Sequence, residues 1–194
     1  MYKHTLIFLA LGMALAQSAH AEIWQVDIDT SSIAGIGGYL DLQLNPGAAD
    51  AQPVKARIGN FSSDASLGMG VVDGAASGSL AGVLELDNTD ALNAWLQGLV
   101  FGSHIAFTLD IDSTLSAGSG SSFSALLWDS NFTPLLAAAG SDALLRIDLM
   151  PNVSPTWMMS SAVQVSAVPE PTIAMTFLAG LGLVGFVVKR RAPG

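Results

Sequence analysis

The chain has 194 residues, enough for one ordinary domain with extensions, and no cysteine, which excludes disulfides, thiolate metal sites and a cysteine nucleophile. Its formal net charge is −9, but residues 22–170 hold all 16 acidic residues and three of the seven basic ones, a charge of −13. A charge of this sign repels phosphate backbones and anionic headgroups, so we expect neither nucleic-acid binding nor peripheral membrane binding by this span.

Residues 1–21 have the order of a secretory signal peptide. Lys3 lies in a short basic start, residues 5–15 form an apolar run, and Ala19-His20-Ala21 follows. The apolar run is too short for a membrane anchor. We therefore expect passage through the Sec translocon and cleavage by signal peptidase after Ala21.

The span 22–167 alternates apolar and polar residues, which is the pattern of strands with one solvent-exposed face. About eight short strands separated by turn signals predict an all-β fold, an antiparallel β-sandwich with jelly-roll order as one form. The expected strands lie at residues 24–29, 40–44, 54–58, 80–86, 105–112, 123–128, 145–149 and 162–166.

One segment has helical spacing instead. Over residues 90–99 the apolar positions recur on one face of a helix. We predict one short helix there, with an apolar face made of Leu92, Trp95, Leu96 and Leu99.

His104 is the one histidine of the span 22–167 and follows Gly102-Ser103. A serine triad needs a serine, this histidine and an acid brought together, and the sequence contains no nucleophile elbow. We expect no enzymatic activity, and a hydrolase that uses His104 is the least supported function class.

Two pairs of aspartates lie two residues apart on predicted strands, Asp27 with Asp29 and Asp110 with Asp112. Such carboxylates bind calcium where loop oxygens complete the coordination. Solvated strand faces and edge protection explain the same aspartates, and we favour that interpretation. We therefore expect no cofactor, and calcium binding stays open.

Four tryptophans are candidates for a surface on which sugars stack. Trp24, Trp95 and Trp128 lie where the apolar pattern places the core, so packing is the default for them. Trp157 lies outside a clean pattern. It is the candidate sugar-stacking residue.

A short proline-flanked motif, Val168-Pro169-Glu170-Pro171, follows the predicted domain. Each proline restricts its own φ and disfavours helix at the residue before it. We therefore expect the motif to be extended and accessible to a processing enzyme.

Residues 172–188 carry no charge and are followed by Lys189, Arg190 and Arg191. As a helix, the apolar stretch would span about 25 Å, the short end of what crosses a bilayer. The basic residues should act as a cytoplasmic stop-transfer signal, which places the domain outside the cytoplasm. We predict a transmembrane helix over 172–188 and a basic tail over 189–194.

These three elements in this order resemble the PEP-CTERM sorting signal, the tag that exosortases of Gram-negative bacteria recognise in their substrates. The resemblance covers residues 168–194 and implies an exosortase as processing enzyme. It implies a single-pass inner-membrane intermediate, followed by transfer to the cell surface or extracellular matrix, in association with exopolysaccharide and biofilm.

The middle of the chain is similar to an uncharacterised group of PEP-CTERM proteins through residues 38–47, 60–64 and 97–102. This resemblance carries no established activity. The sequence thus predicts a signal peptide (1–21), a β-sandwich ectodomain (22–167) and a sorting signal (168–194). The expected function is that of an exported surface or matrix protein, and the alternative is a polysaccharide-binding module, with or without calcium.

Overall fold

The computed structural model describes residues 22–112 and 115–168. The expected signal peptide, the segment 172–188 and the basic tail lie outside the described residues. No helix within the described ranges has the length and hydropathy needed to cross a bilayer.

The described ranges contain thirteen strands and one short 3-10 helix. Their order is β1 (Glu22–Asp29), the 3-10 helix (Ser31–Ile33), β2 (Gly37–Pro46), β3 (Lys55–Ser63), β4 (Ser66–Asp73), β5 (Ala76–Gly78), β6 (Leu84–Asp87), β7 (Ala94–Val100), β8 (His104–Asp112), β9 (Ser121–Asp129), β10 (Pro134–Leu135), β11 (Leu145–Leu149), β12 (Thr156–Met159) and β13 (Val163–Ala167).

The strands form two antiparallel sheets. The first has the order β13-β1-β8-β3-β6-β5, and the second has the order β12-β11-β9-β2-β7-β4, with β10 paired to β9. The pairs β1–β8, β2–β7 and β3–β6 nest within one another along the chain. The all-β, antiparallel prediction is confirmed. The jelly-roll order stays a prediction, because β5 pairs with β6 rather than with β4.

The two sheets bury their apolar faces in one shared hydrophobic cluster, which makes the fold β-sandwich-like. In β2, Leu40, Leu42 and Leu44 are fully buried and alternate with Asp41 and Gln43 on the opposite face. Full burial of a side chain of this size contributes about 1.5–3 kcal/mol relative to exposure. Large contributions to the cluster from other strands come from Val26, Ile28, Ile58, Leu84, Phe107, Leu109, Phe123, Leu127 and Ile147.

The predicted helix over residues 90–99 is wrong. This region contains β7, which lies between β2 and β4 in the second sheet. Trp95 and Leu99 are buried in the core cluster, whereas Leu96 pairs with Asp41 on the opposite face. Leu92, the fourth member of the expected helical face, is 45% exposed in the loop before β7. The same apolar residues fit both the helical and the strand spacing. The segment forms a strand because its backbone pairs with β2 on one side and with β4 on the other.

Asn93 holds the loop before β7 in its non-helical conformation. Its side chain is fully buried and donates from Nδ2 to the carbonyl oxygens of Leu44 (3.0 Å) and Asp90 (2.7 Å). Its Oδ1 accepts from the backbone N–H groups of Ala75 (3.0 Å) and Asp90 (3.2 Å). One side chain therefore connects this loop to β2 and to the residue before β5.

We predict that Asn93→Ala lowers the free energy of unfolding by about 3 kcal/mol, because it leaves buried backbone groups without partners. Urea denaturation followed by tryptophan fluorescence measures the change. Asn131→Ala is the matched control, since Asn131 is exposed and its backbone N–H, which alanine keeps, donates to Asp129. Equal stability of the two variants would contradict this role for Asn93.

Candidate functional site

The start of the proposed sorting motif lies at the edge of the first sheet. β13 pairs antiparallel with β1, from Ile28 opposite Val163 to Trp24 opposite Ala167. The backbone N–H of Val168 donates to the carbonyl oxygen of Ile23 at 2.8 Å and extends this ladder by one bond. The described residues therefore begin and end at the same end of the first sheet.

A buried carboxylate lies on the outer face of the second sheet, the face opposite the core. Asp41 in β2 is 7% exposed, because Leu96 of β7 and Leu126 of β9 are its partners on the two neighbouring strands. Its Oδ2 accepts from Gln43 Nε2 (2.7 Å) and from Trp128 Nε1 (3.1 Å). Burial raises the pKa of Asp41, and these two hydrogen bonds oppose the rise.

Asp41 borders a cavity of about 240 Å³, here called the Asp41 cavity. The residues that line it include Asp41, Gln43, Asp73, Leu92, Leu96 and Phe132. The cavity thus combines carboxylate and amide groups with apolar walls, which is the composition of small-molecule sites.

An aromatic pair lies next to this cavity. The rings of Tyr39 and Phe132 stack with centroids 4.9 Å apart and planes 8° apart, and Phe132 is 55% exposed. Phe132 has φ = 58°, a left-handed conformation that is uncommon for a bulky residue. Asp129 stabilises the loop, because its Oδ1 accepts from the N–H groups of Asn131 and Thr133, both at 2.8 Å. The loop therefore holds an exposed ring in a strained conformation, a feature often found at binding sites.

A second polar cluster joins the β3–β4 turn to the start of β8. Asp64 accepts hydrogen bonds from the Ser103 hydroxyl (2.7 Å), the Ser103 N–H (2.8 Å) and the His104 N–H (3.0 Å). His104 Nδ1 lies 3.3 Å from Asp64 Oδ1. The bonds from Ser103, followed by that from His104, hold the pKa of Asp64 well below its usual range.

The comparisons with known proteins identify the C-terminal segment. A family model described as the PEP-CTERM protein-sorting motif matches residues 167–191. The chain is a PEP-CTERM domain-containing protein. No curated protein and no solved structure is significantly similar to it.

The match begins at the last residue of β13 and covers the proposed sorting motif and the basic residues before position 192. In a PEP-CTERM protein this motif implies export, a membrane-anchored intermediate and processing by an exosortase. Of the sorting residues, only Val168 lies within the described part of the chain, so the roles of Pro169, Glu170 and Pro171 stay predictions.

The structure brings together a serine, a histidine and an acid, but not in the order that a triad requires. The Ser103 hydroxyl donates to Asp64 and not to His104. A nucleophilic serine needs the histidine as its base, so this arrangement does not activate Ser103. The absence of enzymatic activity in this PEP-CTERM protein stays a prediction.

One member of each aspartate pair considered for calcium is engaged in another contact. Asp29 accepts from the hydroxyl and N–H of Ser31, and Asp110 lies 3.7 Å from Arg57. Among the described residues, no three His, Cys, Asp or Glu side chains are grouped to hold a metal ion. The expectation of no cofactor, with calcium binding as an open alternative, stays a prediction.

Two of the four tryptophans occupy positions other than those expected. Trp157 packs edge-on against Trp24, with ring centroids 5.0 Å apart and planes at 72°, so it lies against the core rather than forming a stacking surface. Trp128 was expected in the core and instead lies on the outer face, bonded to Asp41. Trp24 and Trp95 are buried, as expected.

Sequence reasoning missed the site around Asp41. Its polar position between Leu40 and Leu42 indicated a solvent-exposed face, whereas neighbouring strands bury it. The only sequence signal was the apolar residues Leu96 and Leu126 on a face that would otherwise be polar. Their relation to Asp41 depends on strand register, which the sequence does not specify.

We predict that Asp64→Asn destabilises the protein near neutral pH and that this difference shrinks as the pH falls. The folded-state pKa of Asp64 is depressed, so its contribution is present above the unfolded value of about 3.9 and is lost as the pH falls below it. Urea denaturation at a series of pH values from neutral to acidic measures both effects.

Asp27→Asn is the control for that experiment, because Asp27 is exposed and has only a 3.4 Å contact with Gln25. It should change stability less than Asp64→Asn at neutral pH. A pH-independent difference between wild type and Asp64→Asn would contradict the assigned role of the carboxylate.

Proposed function

We propose that this PEP-CTERM protein is a non-enzymatic surface or matrix protein that an exosortase releases from the inner membrane. It enters the Sec translocon, loses residues 1–21 to signal peptidase and is held in the membrane by residues 172–188. Cleavage near Pro169-Glu170-Pro171 then frees the ectodomain, which associates with exopolysaccharide. The observation that carries this proposal is the motif match that begins at the last residue of β13.

The position of β13 supports release of an intact domain. The ladder between β1 and β13 ends with the bond from Val168 to Ile23. Three residues then separate Val168 from the apolar segment 172–188. Cleavage among these residues would remove the membrane segment without breaking a described hydrogen bond of the sheet.

The charge of the ectodomain limits which polymers it can approach. Its three basic residues are paired: Lys55 and Arg57 with Glu85, and Arg146 with Asp148 at 2.8 Å. The excess of unpaired carboxylates repels polyanions. A neutral or cationic exopolysaccharide is therefore the better partner.

Expression with and without a cognate exosortase tests the sorting proposal. In exosortase-positive cells, the intact mass should show loss of the basic tail, and the protein should move from the membrane to the surface or medium. The double variant Pro169→Ala/Pro171→Ala should stay unprocessed at the membrane, because it loses the restricted, extended backbone.

Pro53→Ala is the matched control, since Pro53 is exposed in the loop between β2 and β3. It should be processed like the wild type. An unchanged C-terminus in both kinds of cell would overturn the sorting proposal.

A second candidate function is polysaccharide binding by the ectodomain, with or without calcium. The stacked pair of Tyr39 and Phe132 next to Asp41 favours it, because an exposed ring beside fixed polar groups suits a sugar unit.

Affinity electrophoresis in gels that contain neutral, anionic or cationic polysaccharides tests this second function, in the presence of calcium and of a chelator. We expect retardation in the cationic or neutral gels and none in the anionic gel. Equal mobility in all gels would contradict polysaccharide binding and leave the sorting result untouched.

A further inference from the structure

The outer face of β2 carries a chain of hydrogen bonds that orients the buried Asp41 carboxylate. Asn45 Nδ2 donates to Gln43 Oε1 at 3.0 Å, and Gln43 Nε2 donates to Asp41 Oδ2 at 2.7 Å. Trp128 Nε1 donates to the same Oδ2 at 3.1 Å from the neighbouring strand. These bonds polarise one another and hold the carboxylate in one orientation.

The other oxygen of this carboxylate has no donor. Asp41 Oδ1 has less than 1 Å² of accessible surface and no hydrogen-bond partner among the described residues. A buried acceptor in this state costs stability, and such a group in a native protein often has a functional reason. The donors on Oδ2 are neutral, so nothing described here compensates the negative charge of Asp41.

The Asp41 cavity offers a cation two kinds of contact. Asp73, at the end of the edge strand β4, lines the cavity together with Asp41. The exposed Phe132 forms another wall, and an aromatic face attracts a cation within about 6 Å of its centroid. The three basic side chains of the described ranges pair with Glu85, Asp87, Asp110 and Asp148 instead.

Access to Asp41 Oδ1 requires one wall of the cavity to move. Phe132 is the wall residue best suited to do so, because it lies in a loop, is 55% exposed and has a strained backbone. Leu96, by contrast, is held in place because β7 pairs with a strand on each side, β2 and β4.

The binding surface continues beyond the Asp41 cavity. A groove of about 450 Å³ lies on the Tyr39 side of the aromatic pair and is lined by Gly37, Gly38, Gly68, Gly98, Tyr39 and Leu67. Gly98 lies opposite Tyr39 on the neighbouring strand. The groove and the cavity flank the stacked rings, which suits a ligand of several linked units rather than a single small cation.

We propose that this face binds a cationic polysaccharide through a free amino sugar, whose ammonium group contacts Asp41 and Asp73 while its ring stacks on Phe132. The inference rests on the second candidate function and specifies its ligand class. The amine supplies the donors and the positive charge that Asp41 lacks, and the groove beside Tyr39 takes the neighbouring sugars.

Two tetrasaccharides with the same backbone test this proposal, one of glucosamine and one of N-acetylglucosamine. They are titrated calorimetrically into the full chain, purified in a nonionic detergent, at mildly acidic pH where the amines are charged. We expect the glucosamine tetramer to bind about tenfold more tightly, because the acetylated amine carries no charge.

Asp41→Asn should remove this preference, because it weakens binding of the glucosamine tetramer only. Phe132→Ala should weaken binding of both tetramers, because the aromatic ring is lost. Asp27→Asn removes an exposed carboxylate from the first sheet and should bind like the wild type. Asp41→Asn should melt no lower than the wild type, because the amide removes an uncompensated buried charge. If the melting temperature of Asp41→Asn is lower than that of the wild type, Asp73→Asn and Phe132→Ala are used to test the proposal instead.

Equal affinity for the two tetramers, or equal losses in Asp41→Asn and Asp27→Asn, would overturn the proposal, since either result means unspecific attraction to an acidic protein. Processing is measured separately, as the mass of the C-terminus in cells with exosortase. A failure of sugar binding is therefore distinguishable from a failure of the sorting proposal.

Discussion

Two sheets that each have one apolar face can remove those faces from water only by packing against each other, and this constraint underlies the whole ectodomain. Leu40 and Phe123 of the second sheet and Phe107 of the first belong to the same buried cluster. Such packing requires each strand to keep its register, since a slip of one residue would turn its apolar side chains outward. The outer faces are thereby determined as well, including the position of Asp41.

The two outer faces differ in the way they accommodate charge. On the first sheet, Lys55 and Arg57 pair with the carboxylates of neighbouring strands in a solvent-exposed network. Exposed pairs of this kind contribute little to stability, so their main effect is to keep the face polar. On the second sheet, Asp41 is covered by apolar neighbours and bonded only to neutral donors. The buried carboxylate without a charged partner therefore lies on the face that also carries the exposed ring of Phe132.

The pairing of β1 with β13 positions the start of the sorting motif in the fold. Residues close to both ends of the β-sandwich-like domain lie side by side, joined by the bond between Ile23 and Val168. The proposed membrane tether would start at Val168, next to the first sheet, whereas the outer face formed by β2, β7 and β9 belongs to the second sheet. The sorting and binding proposals thus concern separate parts of the molecule.

The sequence alone determined the charge of the span, the all-β class and the order of the C-terminal motif, because these depend on composition, on period-two alternation and on adjacent residues. It placed strands where β1, β2, β8, β9 and β11 are found, since their alternation is regular. It could not distinguish strand from helix around Trp95, whose neighbours fit both periods. Only the tertiary structure decided that β7 enters the second sheet, that Asp64 meets Ser103, and that Asp41 is buried beside Trp128 and Phe132. Each of these depends on residues far apart in the chain that strand pairing brings together.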